Sequence, residues 1–281
     1  MLQQSSTLFD LPVDFACFGS GSSGNCYYLR QGDCGLLIDA GVGERRFKKA
    51  FMDYGFNMAQ IKAILLTHEH LDHTRCAGRL SKKNNLPVYS TASVFTSMRH
   101  NPVIHNNVPA ANEQTIQHGT PFQIGPFCIE PFKVPHDSSD NTGYFITCGN
   151  VNFCLITDCG SLTPDICHYV SRAQHLVVEA NYDRDMLQNG PYPEYLKLRI
   201  LSKNGHMDNA VCGNLLRENL TPSLIRNIWL CHLSQENNTP EKALATVNEA
   251  IAPLHLPCKA VPLHRIEPTG PFVLRSEQNS A

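Results

Sequence analysis

The sequence predicts an α/β fold in a single domain. Three observations carry that expectation. Short apolar runs alternate with turn signals along most of the chain, stretches with helical spacing lie between them, and a strand-rich then helical order occurs twice without a linker. A chain of 281 residues with 42% hydrophobic content is long enough to fill one large core. The domain is expected to span 1–281, with its core over roughly 12–265 and solvated tails at about 1–11 and 266–281.

Taken in order, DFACFGS, CYYLR and GLLIDAG read as strands, and QGDCG supplies hairpin turn chemistry between the last two. ERRFKKAFMDYG has helical spacing: Phe47, Ala50, Phe51 and Tyr54 share a face, and Gly55 stops the helix. AILLT is a strand, and a helix begins within residues 74–83. FCIEPFKV, TGYFITCG, VNFCLITDCG and HLVVEAN form a second group of strands, followed by helices around 193–202 and 208–218. NIWLCHL is another strand. TPEKALATVNEAI is a helix with Thr239 as N-cap and Pro240 in its first position.

Composition narrows the class. A net charge of −2 announces no general field for nucleic acid, so any such surface has to be local. No run of about 18 apolar residues suggests a membrane span, and the first residues lack the basic and apolar regions of a signal peptide. The 12 cysteines are scattered without a Cys-x-x-Cys pair and several sit inside apolar runs. Reduced, buried thiols and a cytoplasmic location are therefore expected. No protein partner can be inferred.

The chemistry is concentrated after one strand. IKAILLTHEHLDHTRC places His68, His70, Asp72 and His73 within six residues, directly behind an apolar run. His68 and His70 project the same way from extended chain, while Asp72 and His73 follow where it turns into a helix. One short loop can then serve two cations about 3.5–4 Å apart. Three isolated candidates also stand at strand ends: His136 in KVPHDSSD, Asp158 in LITDCG and His232 in IWLCHLSQ. Strand ends are where side chains from distant sequence can converge.

The run from Thr67 to His73, followed by His136, Asp158 and His232 in this order, resembles the metallo-β-lactamase-fold hydrolases. The resemblance implies a four-layer αββα sandwich with a dinuclear metal site at one edge of the sheets. It implies one metal on His68, His70 and His136, a second on Asp72, His73 and His232, and Asp158 bridging both. Asp39, in LLIDAG, matches the acidic residue that supports the metal loop from behind its ligands. Three further segments, GSGSSGNCYYL, EANYDRDMLQNGPYPEYLKLRILSKNGHMDN and CHLSQENNTPE, are similar to the WalJ (YycJ) branch, described as DNA exonucleases. That likeness covers roughly residues 15–265, with one departure: GHMDN stands where GHLSN is expected.

Five His and two Asp ligands make a nitrogen and oxygen site suited to two divalent ions, Zn²⁺, Mn²⁺ or Fe²⁺. Two cations sharing a carboxylate acidify water between them and can neutralise a phosphodiester. Hydrolysis is thereby favoured. A redox di-iron role is disfavoured by His70 in the second ligand position, and an exported β-lactamase by the absent signal peptide and by Asp158 in the bridging place. His206, in KNGHMDN, is expected to give a proton to the leaving oxygen, and Asp72 is counted with it as catalytic. The Gly19 to Asn25 loop could cradle a phosphate through Ser20, Ser22, Ser23 and Asn25, or be only a flexible turn. Lys197, Arg199 and Lys203 form a basic cluster suited to a phosphate backbone, whereas ERRFKK (44–49) reads as a solvated helix face. The remaining histidines have no partner pattern.

Three functions survive. The leading one is a metal-dependent phosphodiesterase degrading DNA from an end, 5′-to-3′ by resemblance. The second is a small-molecule hydrolase of a cyclic phosphodiester or a thioester. The third is a metal-binding protein without catalysis.

Overall fold

The computed structural model describes residues 11–275. Two seven-stranded sheets pack face to face and carry helices on both outer surfaces. The first sheet starts with the meander β1 (Val13–Gly19), β2 (Cys26–Gln31) and β3 (Cys34–Ile38), whose last two strands are joined by a tight turn with Gly32 at φ 56°. Parallel strands β4 (Ile61–Leu65), β5 (Val88–Ser90) and β6 (Glu113–Thr115) extend it. Helices α1 (Glu44–Asp53), α2 (Leu71–Thr74), α3 (Ala77–Asn84) and α4 (Ala92–His100) lie along this half.

The second sheet contains β7 (Phe122–Ile124), β8 (Phe127–Lys133), β9 (Thr142–Cys148), β10 (Val151–Ile156), β11 (His175–Glu179), β12 (Asn227–Cys231) and β13 (Ala260–Pro262). Helices α5 (Pro164–Arg172), α6 (Arg184–Asn189), α7 (Glu194–Leu201), α8 (Asn209–Asn219) and α9 (Pro240–Ile251) accompany it. At α9 the Thr239 side chain accepts from the Lys242 N–H, with Pro240 in the first turn.

Strand periodicity explains the layering. In β1, Phe15 and Cys17 face the other sheet, while Ala16 and Phe18 face α1 residues Phe47 and Phe51. In β10, Phe153 and Leu155 face inward, while Cys154 and Ile156 meet Ile166 and Val170 of α5. Both faces are covered, so these strands read as near-continuous apolar runs rather than as alternation.

One expectation is corrected at the C-terminal end. Residues 269–274 are not a solvated tail: β14 (Thr269–Leu274) pairs antiparallel with β1 as the edge of the first sheet. Phe272 and Leu274 alternate into the core, and the Phe272 ring lies 5.1 Å from Trp229. Pro271 disguises the strand in sequence yet is tolerated at an edge. The other tail positions, 1–10 and 276–281, lie outside the described residues. All 12 cysteines are unpaired and most are buried. Among the described residues no helix is long and apolar enough to cross a membrane.

Candidate metal centre

Strands β3, β4, β8, β10, β11 and β12 all end at one edge of the sandwich, and each is followed there by an acid or an imidazole. Parallel pairing of β3 with β4, and of β10 with β11 and β12, puts those ends side by side. Asp39, Asp158 and His232 each close a strand in the left-handed region, with φ 60°, 53° and 53°. Such a conformation costs a non-glycine residue about 1–3 kcal/mol and persists where surrounding contacts over-determine it. Gly41 lets the loop after β3 touch the α2 turn: a Cβ there would lie 1.5 Å from the Asp72 carbonyl oxygen.

Donor atoms of His68, His70 and His136 lie within 4.8 Å of one another, and so do those of Asp72, His73 and His232. Asp158 stands between the two groups, 3.3 Å from His73 Nε2 and 3.7 Å from His136 Nε2. Four of the five imidazoles are oriented from behind. His68 Nδ1 lies 3.0 Å from the Thr67 hydroxyl, which itself donates to Asp39. His136 Nδ1 donates to the Gly205 carbonyl at 3.0 Å. His73 Nδ1 donates to Asp39 at 2.7 Å and His232 Nδ1 to Glu179 at 3.1 Å.

The field in this volume is strongly negative. Burial opposes charging His73, yet Asp39, Asp158 and Asp72 raise its pKa well above that of a free imidazole. At His232 burial is likewise overcome by Asp158, Asp72 and Glu179, and the pKa rises to about 10. Burial pushes His68 and His136 the other way. His232 Nε2 is buried without a hydrogen-bond partner among the described residues and stands 3.6 Å from Asp72. An orphaned nitrogen among converging imidazoles and carboxylates fits divalent cations, which neutralise such a field and take nitrogen and oxygen ligands.

His206 stands beside this cluster, its ring centroid 5.2 Å from His232. Its Nδ1–H donates to Glu179 at 2.8 Å, and it lines a cavity of about 170 Å³ with Ser22, Tyr192 and Arg199. Glu179 is fully buried and was not anticipated from sequence. Oε1 accepts from His206 and His232, and Oε2 from the backbone N–H groups of Cys159 and Met207. With both oxygens so engaged, Glu179 braces His206 and His232, and these three together with Asp158 also form a group able to hold a cation. A signal was present: HLVVE ends an apolar run with an acid, as LLID and LITD do.

The expected substrate contacts separate. Ser20 is buried, bonded to the Tyr27 hydroxyl and accepting from the His232 N–H. Asn25 is buried too, accepting from the Gly21 N–H and donating to Asp72. Both brace the centre from within and are withdrawn from any substrate surface, while Ser22 and Ser23 are exposed. Lys197 folds onto the Gln188 carbonyl at 2.8 Å and pairs with Glu194, while Lys203 is exposed. Only Arg199 of the three lines the cavity, paired there with Asp137.

The family model described as "Beta-lactamase superfamily domain" matches residues 35–224. The chain belongs to the β-lactamase superfamily. Two relatives align along most of both chains. Exodeoxyribonuclease YycJ of Bacillus anthracis is 32% identical over 85% of this chain and 89% of its own length. Exodeoxyribonuclease WalJ of Streptococcus pneumoniae is 31% identical over 86% and 90%. Among solved structures, the metallo-β-lactamase fold protein YhfI of Bacillus subtilis superposes with a TM-score of 0.69 over 92% of this chain and 99% of that one, at 18% identity. This β-lactamase-superfamily protein thus has the metallo-β-lactamase fold and is a metallo-hydrolase.

Its departure at GHMDN has a physical account. Met207 is buried as a leucine would be, and Asp208 caps α8 by accepting from the Ala210 N–H, as serine would. Asp and Ser are near-equal N-caps, so His206 keeps its support.

Proposed function

We propose that this hydrolase degrades DNA from an end by metal-dependent phosphodiester hydrolysis. The observation that carries the reading is the Glu179–His206 pair set beside the seven candidate ligands. Support comes from the two exodeoxyribonucleases that the chain resembles over most of its length. His68, His70 and His136 would hold one cation, Asp72, His73 and His232 the other, with Asp158 between them. Bound there, the cations would offset the phosphate charge and acidify water. Glu179 fixes His206 with Nδ1–H directed at the carboxylate, which leaves Nε2 to give a proton to the leaving oxygen. Arg199 and the exposed Ser22 border the same cavity and would orient the phosphate. A cavity of about 170 Å³ is small beside the roughly 300–1,000 Å³ of sites that enclose small ligands, which favours a strand end over an engulfed metabolite.

The test is degradation of linear and covalently closed DNA by metal-stripped protein reloaded with Mn²⁺ or Zn²⁺. Linear single or double strands should disappear while closed circles persist, and labelled ends should show the 5′-to-3′ direction carried over from the resemblance. Circles cut as fast as linear DNA would remove the end requirement. Intact DNA together with rapid turnover of a cyclic nucleotide or thioester would replace the reading with a small-molecule hydrolase.

A further inference from the structure

A strongly basic groove lies outside the metal centre. Residues 44–53 and 75–83 together carry eight cations and two carboxylates, a local excess of six positive charges in a chain whose net charge is −2. On the α2–α3 stretch Arg75, Arg79, Lys82 and Lys83 follow one another at helical spacing and all four are exposed, while Leu80 and Ser81 face the core. From α1, Arg45, Arg46 and Lys48 meet this stripe, and with Gly43 and Arg79 they line a groove of about 790 Å³.

The groove is under-neutralised. Glu44 serves both Lys48 and Arg79, and Lys49 is paired with Asp53 at the far end of α1. Nε and Nη2 of Arg46 are buried without a hydrogen-bond partner among the described residues. The ammonium groups of Lys48 and Lys83 face each other, and the contact lowers the pKa of Lys83. Like charges gathered around open space describe an anion site with several positions rather than one.

Its location gives the anion a direction. Arg75 follows Asp72 and His73 by a single turn and donates to the Ser23 carbonyl at 3.3 Å, next to Ser22 of the His206 cavity. The stripe from Arg75 to Lys83 is about 12 Å long at 1.5 Å per residue. That length is enough to meet more than one phosphate of a strand.

We propose that this groove binds the phosphate backbone of the nucleic-acid substrate beyond the phosphodiester being hydrolysed, leading the strand to the metal centre. The inference rests on the reading that the substrate is DNA. It places the principal backbone contacts on α1 and α3 rather than on Lys197 and Lys203. It also resolves how a chain without a basic field could hold a polyanion: the positive charge is collected on one face and the remainder of the molecule is acidic.

The experiment measures fluorescence anisotropy of a phosphorothioate-linked single strand of about 20 nucleotides, which keeps its charge but resists hydrolysis, at several salt concentrations with the protein as purified. Arg45→Gln, Arg79→Gln and Lys83→Gln are combined in one variant. Its affinity should fall at least about tenfold, and the slope of log K against log salt should become shallower by about 2, at roughly 0.7 per lost contact. Turnover of bis(p-nitrophenyl) phosphate, which needs only the metal centre, should be unchanged. Lys82→Gln with Lys83→Gln should shift the slope by about half to two-thirds as much. Arg45→Lys with Arg79→Lys should restore most of the affinity, which separates charge from fold. If wild type and the triple variant bind with the same affinity and slope, the groove is not the backbone site, whatever the DNA-degradation assay shows. If wild type degrades no DNA yet binds it through these residues, the groove stands and the nuclease reading fails. If wild type does not bind the strand, both fall.

Discussion

Two buried carboxylates stand behind the candidate metal centre, one at the end of each sheet, and they do different jobs. Asp39, after β3, holds the Thr67 N–H, the Thr67 hydroxyl and one imidazole, His73. All of these belong to a single loop. Glu179, at the end of β11, takes two imidazoles and two backbone N–H groups drawn from three separate connections. Their electrostatics differ accordingly. Burial outweighs His73 at Asp39 and raises its pKa, whereas at Glu179 burial is overcome by His206 and His232 and the pKa falls. An acid whose partners share one loop organises that loop. An acid whose partners come from three connections ties the candidate ligand His232 to His206.

The largest effect comes from removing the imidazole that only Glu179 has. His206→Ala should retain metal and lose about 10²–10⁴ in turnover, with a smaller loss on substrates whose leaving groups need no proton. Elemental analysis beside the kinetics decides this, because metal lost in step with activity would make His206 a ligand.

Smaller effects should follow from the anchors themselves. Glu179→Gln and Asp39→Asn should each cost about 10–100-fold in metal affinity or activity. Excess metal should rescue Asp39→Asn but leave Glu179→Gln slow, since His206 stays unanchored in the latter. Activity titrated against added metal reads the difference, and superimposable curves would erase the distinction between the two acids.

The smallest effect isolates burial from charge. His175 is as buried as His232 but has no carboxylate: Nε2–H donates to the Arg275 carbonyl and Nδ1 accepts from Asn227. Burial pushes its pKa down to about 4. A histidine neutral in the fold and protonated when unfolded stabilises fully above pH about 6.5, and that contribution drains as pH falls toward the folded value, at about 1.4 kcal/mol per unit. Urea unfolding at pH 7 and pH 4.5 should show His175→Gln losing about 2–3 kcal/mol less than wild type over the interval. Equal losses would mean that His175 is not held neutral.

The legibility of these features in sequence follows from where their partners lie. His68, His70, Asp72 and His73 announce themselves because they are neighbours in the chain. His136, Asp158 and His232 are legible only because each closes an apolar run. Glu179 carries the same mark but sits among no other ligands, so nothing local singles it out. Ser20 and Asn25 were misdirected for the opposite reason: their loop composition suggests a surface cradle, but packing of Gly24 onto Gly41 turns those side chains inward. The strand β14 reads as a tail until Trp229 offers a surface to Phe272. Such pairings depend on contacts far apart in sequence, which no local pattern records.

The bond from the His232 N–H to Ser20 Oγ joins positions separated by 212 residues. A chain delivered from its N-terminus presents His68, His70 and His136 when half of it has been made. His232 arrives much later, and β14 must still pair with β1 to close the first sheet. Folding during synthesis therefore gives the molecule a calendar. One group of candidate ligands can gather early, while the other waits for β12 to join the second sheet. A prematurely ended chain stopping before residue 232 would carry the conspicuous histidine motif intact and still lack a complete centre.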